Sequence, residues 1–257
     1  MMAHAFVHSD FCFGRIVPLL KDKRGDASGL DMYRGITLSS AVSKCFESVL
    51  VTIYGDSLES SDLQFGFNKQ SSCCHAIFIF NETVRYFVKH GERVNCAALD
   101  ASKAFNKILS YGLFYKMLSK GISSYTGTVS RLKSAVLWNF GIGECFPISC
   151  GVRQGGVLSP HLFAYYTDDL IDDVKRSGYG IYKGSLFLGC ILYADNIILL
   201  SGSCYGLQQM VDICANYGRQ WNIKFNATKS QCITSVGNRA CSSRIILDNA
   251  ELTRSLS

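Results

Sequence analysis

Cys190-Ile191-Leu192-Tyr193-Ala194-Asp195-Asn196-Ile197-Ile198-Leu199-Leu200 is apolar on both sides of Ala-Asp-Asn. The pattern predicts two buried strands joined by a turn, with Asp195 at the tip. A carboxylate in such surroundings is costly unless something pairs it. A second segment, Asn95-Cys96-Ala97-Ala98-Leu99-Asp100, also ends on a carboxylate. If the two strands are neighbours in one sheet, Asp100 and Asp195 converge at its edge. Two-metal phosphoryl-transfer sites need that arrangement, with oxygen ligands shared between Mg2+ ions roughly 3.5–4 Å apart. Taken singly, each Asp reads equally well as a turn cap.

Working outward, residues 41–54 carry apolar side chains at Val42, Cys45, Phe46, Val49, Leu50 and Ile53, a helical spacing. Residues 73–90 repeat it with Ile77, Phe80, Val84, Phe87 and Val88, and Gly91-Glu92 ends that helix before the strand that leads to Asp100. Residues 109–120 are predicted helical, with Gly121 as the stop. Ser159-Pro160 opens a helix, hydroxyl as N-cap and proline in the first turn, that buries Leu162, Phe163, Tyr166, Leu170 and Val174. Residues 207–221 form a further amphipathic helix, followed by a short strand Ile223-Lys224-Phe225. This order gives an α+β fold, a small antiparallel sheet backed by helices.

The chain has 257 residues, 48% of them hydrophobic, enough for one large core or two small ones. No internal repeat or low-complexity linker divides it, so interleaved sub-domains in a single unit are expected. A net charge of +6 suits a polyanionic partner without demanding one. The 12 cysteines contain no Cys-x-x-Cys and read as free, mostly buried thiols of a reducing compartment, which places the chain inside the cell, in nucleus or cytoplasm. No apolar run reaches membrane-spanning length, the N-terminus lacks an apolar signal core, and the five histidines show no ligand spacing.

Further motifs stand in order around the two carboxylates: Arg15-Ile16-Val17-Pro18-Leu19-Leu20-Lys21, Asp31-Met32-Tyr33-Arg34-Gly35-Ile36-Thr37-Leu38, Gln64-Phe65-Gly66-Phe67, Gly151-Val152-Arg153-Gln154-Gly155-Gly156-Val157-Leu158-Ser159-Pro160 and Asn226-Ala227-Thr228-Lys229-Ser230. From about Arg15 to about Cys232, the set resembles the reverse transcriptases of non-LTR, LINE-like retrotransposons. The resemblance implies a right-hand polymerase fold, an antiparallel palm sheet backed by helices with helical fingers and the thumb absent. It places a domain at 15–240, with fingers about 15–92 and 112–146 and palm about 93–111 and 147–240. Residues 241–257 are then the truncated start of the primer-grip and thumb region of a longer polyprotein.

By the same resemblance Asp100 and Asp195 are catalytic metal ligands, with Asn196 beside them, for two Mg2+ ions or Mn2+ in their place. Phe105 is the aromatic under the sugar of the incoming nucleotide, where a ring rejects a 2′-hydroxyl; its plain reading is a core aromatic. Gln154 is a nucleotide contact and Arg153 a phosphate or template contact, against the plain reading of a tight glycine turn. Arg34, with Lys21, clamps the triphosphate, whereas Lys21, Lys23 and Arg24 read equally as a solvated loop. Lys229 lies near the leaving pyrophosphate, or is a surface lysine. Tyr166-Thr167-Asp168-Asp169 also spells a tyrosine-x-Asp-Asp, but it falls inside the helix opened by Ser159, and its acids are assigned to a solvated face.

The expected partners are an RNA template, a DNA primer and deoxynucleoside triphosphates, with no membrane. Three positions depart from the family pattern: Gly35 replaces a proline, and Asn106 and Asn196 each replace an aspartate. Asn196 is the consequential one, because it removes a negative charge beside a site that gathers divalent cations. The expected activity is RNA-directed DNA polymerisation, in an impaired form. The alternative is a catalytically inactive nucleic-acid-binding remnant of the same fold.

Overall fold

The computed structural model describes residues 9–22, 24, 27–68, 71–119, 121, 132–234 and 244–254. Lys23 and Lys120 lie outside the described residues. The first elements are α1 (Ser9–Cys12), β1 (Phe13–Leu20), β2 (Tyr33–Ser39), α2 (Ala41–Tyr54), α3 (Cys73–Lys89), β3 (Asn95–Asp100), α4 (Ala104–Lys107) and α5 (Ser110–Ser119). There follow β4 (Lys133–Trp138), β5 (Gly141–Ile142), β6 (Phe146–Pro147), α6 (Ser159–Arg176), β7 (Tyr182–Lys183), β8 (Leu186–Phe187), β9 (Cys190–Tyr193) and β10 (Asn196–Ser201). The last are α7 (Cys204–Trp221), β11 (Gln231–Thr234), β12 (Ile246–Leu247), β13 (Ala250–Glu251) and β14 (Thr253–Arg254). Two interleaved units result, one of Met1–Glu59 with Phe105–Phe163, the other of Ser60–Ala104 with Ala164–Ser257.

The first unit is built on a sheet of order β2-β1-β4-β5, with β6 also on β4. β1 pairs antiparallel with β2 from Gly14↔Ser39 to Leu20↔Tyr33 and parallel with β4 from Phe13↔Lys133. The stretch 15–92, expected as helical fingers, therefore holds β1 and β2, because the β-branched and apolar residues of Arg15–Leu20 and Tyr33–Ser39 pair instead of coiling. α2 starts where predicted, with the Ser40 hydroxyl accepting from Ser43 N. Its apolar stripe is less buried than its period suggests: Leu50 is 2% exposed, but Val42, Val49 and Ile53 stand at 50% or more.

The second unit is built on a sheet of order β14-β11-β3-β10-β9, antiparallel except for the short β11–β14 pair. α3 covers it with Ala76, Thr83 and Phe87 rather than with Ile77, which is exposed. Phe65, Ala76, Phe87, Val94, Cys96, Ile181, Ile191 and Leu200 form one apolar cluster. α7 buries Leu207, Met210, Val211 and Cys214 in the same unit. The residues chosen for the helix after Ser159-Pro160 are all buried, Leu162, Phe163, Tyr166, Leu170 and Val174 at 1% or less. The predicted strand Ile223–Phe225 does not form; only Phe225 makes a single bridge, to Ala101. Residues 246–251 fold as the β12–β13 hairpin, whose turn residues Asp248 and Asn249 both take positive φ. Gln208 of α7 holds it from both sides, donating to Ile246 O at 2.9 Å and accepting from Ile246 N at 2.8 Å.

Ten described cysteines are free, five of them buried and five exposed. Burial pushes the Cys96 and Cys214 thiols up to about 12, so they act as small apolar groups rather than nucleophiles. Cys204 departs from the expectation of free thiols, being disulfide-bonded.

Candidate active site

Asp100 ends β3 and Asn196 begins β10, and the two are directly opposed in the antiparallel pair. Opposed residues share a face with Cβ atoms roughly 4.5–5.5 Å apart, so Asn196 presents its amide beside Asp100. The β9–β10 hairpin closes at Tyr193↔Asn196, with Ala194 and Asp195 as its two turn residues. Ala194 carries φ +55, so it, and not Asn196, takes the left-handed conformation. The Asp195 carbonyl accepts from Ala101 N at 3.1 Å, tying the turn to the residue after Asp100. Asn196 Nδ2 donates to Asp195 Oδ1 at 3.4 Å. Both aspartates are half-buried and Asn196 is exposed, so the edge is open to solvent. The two strands are neighbours, as the sequence required for convergence.

The Asn226–Ser230 segment fixes the end of β3. Asn226 N donates to Asp100 O at 2.8 Å, and Asp100 N donates to Ser230 Oγ at 3.1 Å. Ser230 is fully buried and its hydroxyl donates to Asn226 O at 2.8 Å. Asn226 Oδ1 accepts from Thr228 N at 3.1 Å and Thr228 Oγ1 at 2.7 Å, an Asx turn that presents Lys229, exposed. The lysine assigned to leaving-group chemistry thus sits on a turn hydrogen-bonded to Asp100. Ser230 and Asn226 are the residues that sequence reasoning missed as supports; the visible signal was Asn two residues before Thr, the Asx-turn pattern.

Gly66 is the second omission. A Cβ there would stand 2.3 Å from Ala194 N, so only glycine lets the extended stretch at residues 63–66, which makes one bridge from Gln64 to Leu192, lie against the hairpin tip. That segment bonds Phe65 N to Leu192 O and Leu192 N to Leu63 O, both at 2.8 Å.

The other candidates lie in the first unit. Phe105 stacks on Phe163, ring centroids 4.6 Å apart and planes 8° apart. Its carbonyl accepts from Val152 N at 2.8 Å, which joins Phe105 to the Gly151–Gly156 loop. In that loop Gln154 O accepts from Thr37 N at 2.6 Å. The Gln154 side chain is half-buried and makes no hydrogen bond among the described residues. Arg34 is exposed on β2 opposite Leu19, with no ion pair among the described residues. Lys21 is engaged locally, Nζ donating to Asp31 O at 2.8 Å.

Arg153, expected as a phosphate or template contact, is engaged by main chain instead of lying open. It is 5% exposed, and its guanidinium donates to Phe11 O and Lys133 O at 3.2 Å each and to Cys12 O. A planar fork with five donors matches a cluster of main-chain carbonyls as well as it matches a phosphate, and here the carbonyls hold it. Asp168 also differs from expectation. It is half-buried and accepts from Ser61 N at 2.7 Å, so it holds a loop, while Asp169 alone is exposed. Together they help burial push the Tyr165 phenol up to about 12.

Among the described residues no three His, Cys, Asp or Glu groups gather around one point. The oxygens on hand at the sheet edge are two carboxylates and an amide. Such a set suits Mg2+, which is held by one or two carboxylates with water and substrate phosphates completing its shell. No helix of the described residues is long and apolar enough to cross a membrane.

The sheet edge thus carries one aspartate at a strand end and one in the adjoining hairpin turn, on a mixed α and β fold. Residues 21–246 match the model of the family described as reverse transcriptase (RNA-dependent DNA polymerase), and the chain belongs to that family. It is 28% identical over 208 residues to the Pol polyprotein of type-2 retrotransposable element R2DM of Drosophila melanogaster, covering 79% of this chain and 19% of that protein. It is 24% identical over 221 residues to the Pol polyprotein of a type-1 R2 element of Popillia japonica, covering 82% of this chain and 31% of that protein. The relatives are non-LTR elements, so the LINE-like assignment stands, and the chain spans about a fifth to a third of their lengths. Among solved structures, apo telomerase from Candida tropicalis truncated from its C-terminal domain superposes with a TM-score of 0.64 at 13% identity, over 96% of this chain and 54% of that one. Telomerase from the same organism with a fragment of telomeric RNA gives 0.65 at 13% identity, over 94% and 43%.

Proposed function

We propose that the chain is the polymerase module of a LINE-like element and adds deoxynucleotides to a primer 3′-hydroxyl on an RNA template. The observation that carries the reading is the Asp100↔Asn196 register, with Asp195 tied through its carbonyl to Ala101 N. Asp100 and Asp195 would hold the two Mg2+ ions, which when bound supply acidification of the primer hydroxyl and charge to offset the departing pyrophosphate. Lys229 offers an ammonium for the leaving group, and Arg34 offers a guanidinium for the triphosphate. Gln154 supplies an amide to the nucleotide, and Phe105 a ring whose bulk selects deoxyribose. In this reading the palm is residues 93–111 and 147–240 and the fingers 15–92 and 112–146, with residues 241–257 opening the primer grip; the two compact units divide differently, with 60–92 in the second and 105–111 and 147–163 in the first.

A second reading is favoured by one observation. Asn196 is neutral and turns its amide N–H toward Asp195 Oδ1, where a carboxylate would instead attract cations. The chain would then bind nucleic acid without polymerising. Primer extension on an RNA template, beside a binding assay across salt concentrations, separates the two. Extension supports the enzyme; salt-sensitive binding without extension supports the remnant; neither result removes both.

A further inference from the structure

Val157 and Leu158 lead into α6, Leu158 standing at its N-cap with its carbonyl accepting from Leu162 N at 3.0 Å, and both present main-chain N–H groups ahead of the helical ladder. They are met by a carboxylate from a distant element of the same unit. Glu47, on α2, accepts from Val157 N at 2.6 Å and from Leu158 N at 3.2 Å through one oxygen, Oε2. A negative charge at a helix start also meets the positive end of its dipole, and a charge-assisted bond is about twice as strong as a neutral one. Gly156 makes room for it, since a Cβ there would lie 3.2 Å from Glu47 Oε2 and 2.6 Å from Ser159 Oγ.

The carboxylate completes a set of anchors on one short loop. Val152 N is bonded to Phe105 O, the Arg153 guanidinium to three carbonyls, and Gln154 O to Thr37 N. Those contacts fix the first half of the loop. Beyond Gln154, Gly155 sits at φ +108 against the Thr37 carbonyl of β2 and Gly156 N reaches Arg153 O at 3.1 Å, and Glu47 ties the amides that follow to α2. The loop is thus held on both sides of Gln154, whose side-chain amide makes no hydrogen bond among the described residues.

We infer that Glu47 is a positioning residue for Gln154, acting through the N-terminus of α6. The inference rests on the proposed reading of Gln154 as a nucleotide contact. Glu47 touches no substrate; it sets the main chain from which Gln154 reaches out. In the full chain, Glu47→Ala should speed amide exchange at Val157 and Leu158 by about tenfold or more, while Glu47→Gln, which keeps one acceptor oxygen, should speed it by about threefold. In primer extension, Glu47→Ala should raise the nucleotide KM about tenfold with a smaller change in kcat, since uniform binding is what is lost. Gln154→Ala should raise KM similarly, and the double variant should be no worse than Gln154→Ala alone, because both changes remove one contact. Unchanged exchange at the two amides in Glu47→Ala would overturn the inference, as would single effects on KM that multiply in the double variant. If the parent chain extends no primer, the polymerase reading falls, and the exchange pattern alone decides whether Glu47 positions the loop.

Discussion

The edge of the β3–β10 sheet and the Gly151–Leu158 loop both carry charged residues that a motif reading marks as functional, and the structure treats them oppositely. At the sheet edge Asp100 and Asp195 stay half-exposed, their main chain bonded by Ala101, Asn226 and Ser230. In the loop Arg153 is buried, its guanidinium engaged by the carbonyls of Phe11, Cys12 and Lys133. The difference is one of supply. At the sheet edge the Asp195 carboxylate is met by the Asn196 amide, and Asp100 and Asp195 both keep part of their surface in solvent. A guanidinium needs acceptors, and carbonyls at the end of α1 and the start of β4 provide them.

Arg153→Met should break the loop side of this comparison most severely. It orphans buried carbonyls and should destabilise the chain by roughly 3 kcal/mol or more, read by urea denaturation. A variant that instead keeps its stability and loses only salt-dependent nucleic-acid binding would return Arg153 to a phosphate contact. Gly66→Ala tests the sheet side. A methyl group aimed at Ala194 N must displace the hairpin tip, and a loss of about 2 kcal/mol in the same measurement is expected. Phe105→Val removes a stacked pair worth about 1 kcal/mol and should raise ribonucleotide incorporation relative to deoxynucleotide. An unchanged ratio with the same stability loss leaves Phe105 as a core aromatic. Ser230→Ala should cost the least, about 1 kcal/mol, and should weaken cation dependence through the freed Asp100 main chain. Stability loss with identical cation dependence would make Ser230 a structural residue only.

Much of this was legible in the sequence wherever a period or a terminus signal was strong. The buried face of α6, the span of α2 and the β9–β10 hairpin all follow from apolar spacing around a breaker. The exposed stripe of α2 shows the limit: spacing defines a helix, but not whether anything covers it. The backbone partners of Arg153 and Asp168 were illegible for a common reason. Whether a charged side chain meets a ligand or the chain's own backbone depends on partners 20 to 142 residues away, which no local pattern encodes. Glu47 went unnoticed for the same reason, its acceptor role set by amides 110 residues further on. Ile223–Phe225 failed as a strand because three alternating residues next to an Asx turn find only one bridge.

The central claim is that Asp100 and Asp195 form one cation site, weakened by the amide at 196. It is tested most directly by Mn2+ binding to the full chain, followed by electron paramagnetic resonance for the parent, Asp100→Asn and Asn196→Asp. Adding a carboxylate should tighten binding by about tenfold and removing one should abolish it, because hard cations depend on charged oxygen ligands. Equal affinity in the parent and in Asp100→Asn would contradict the account.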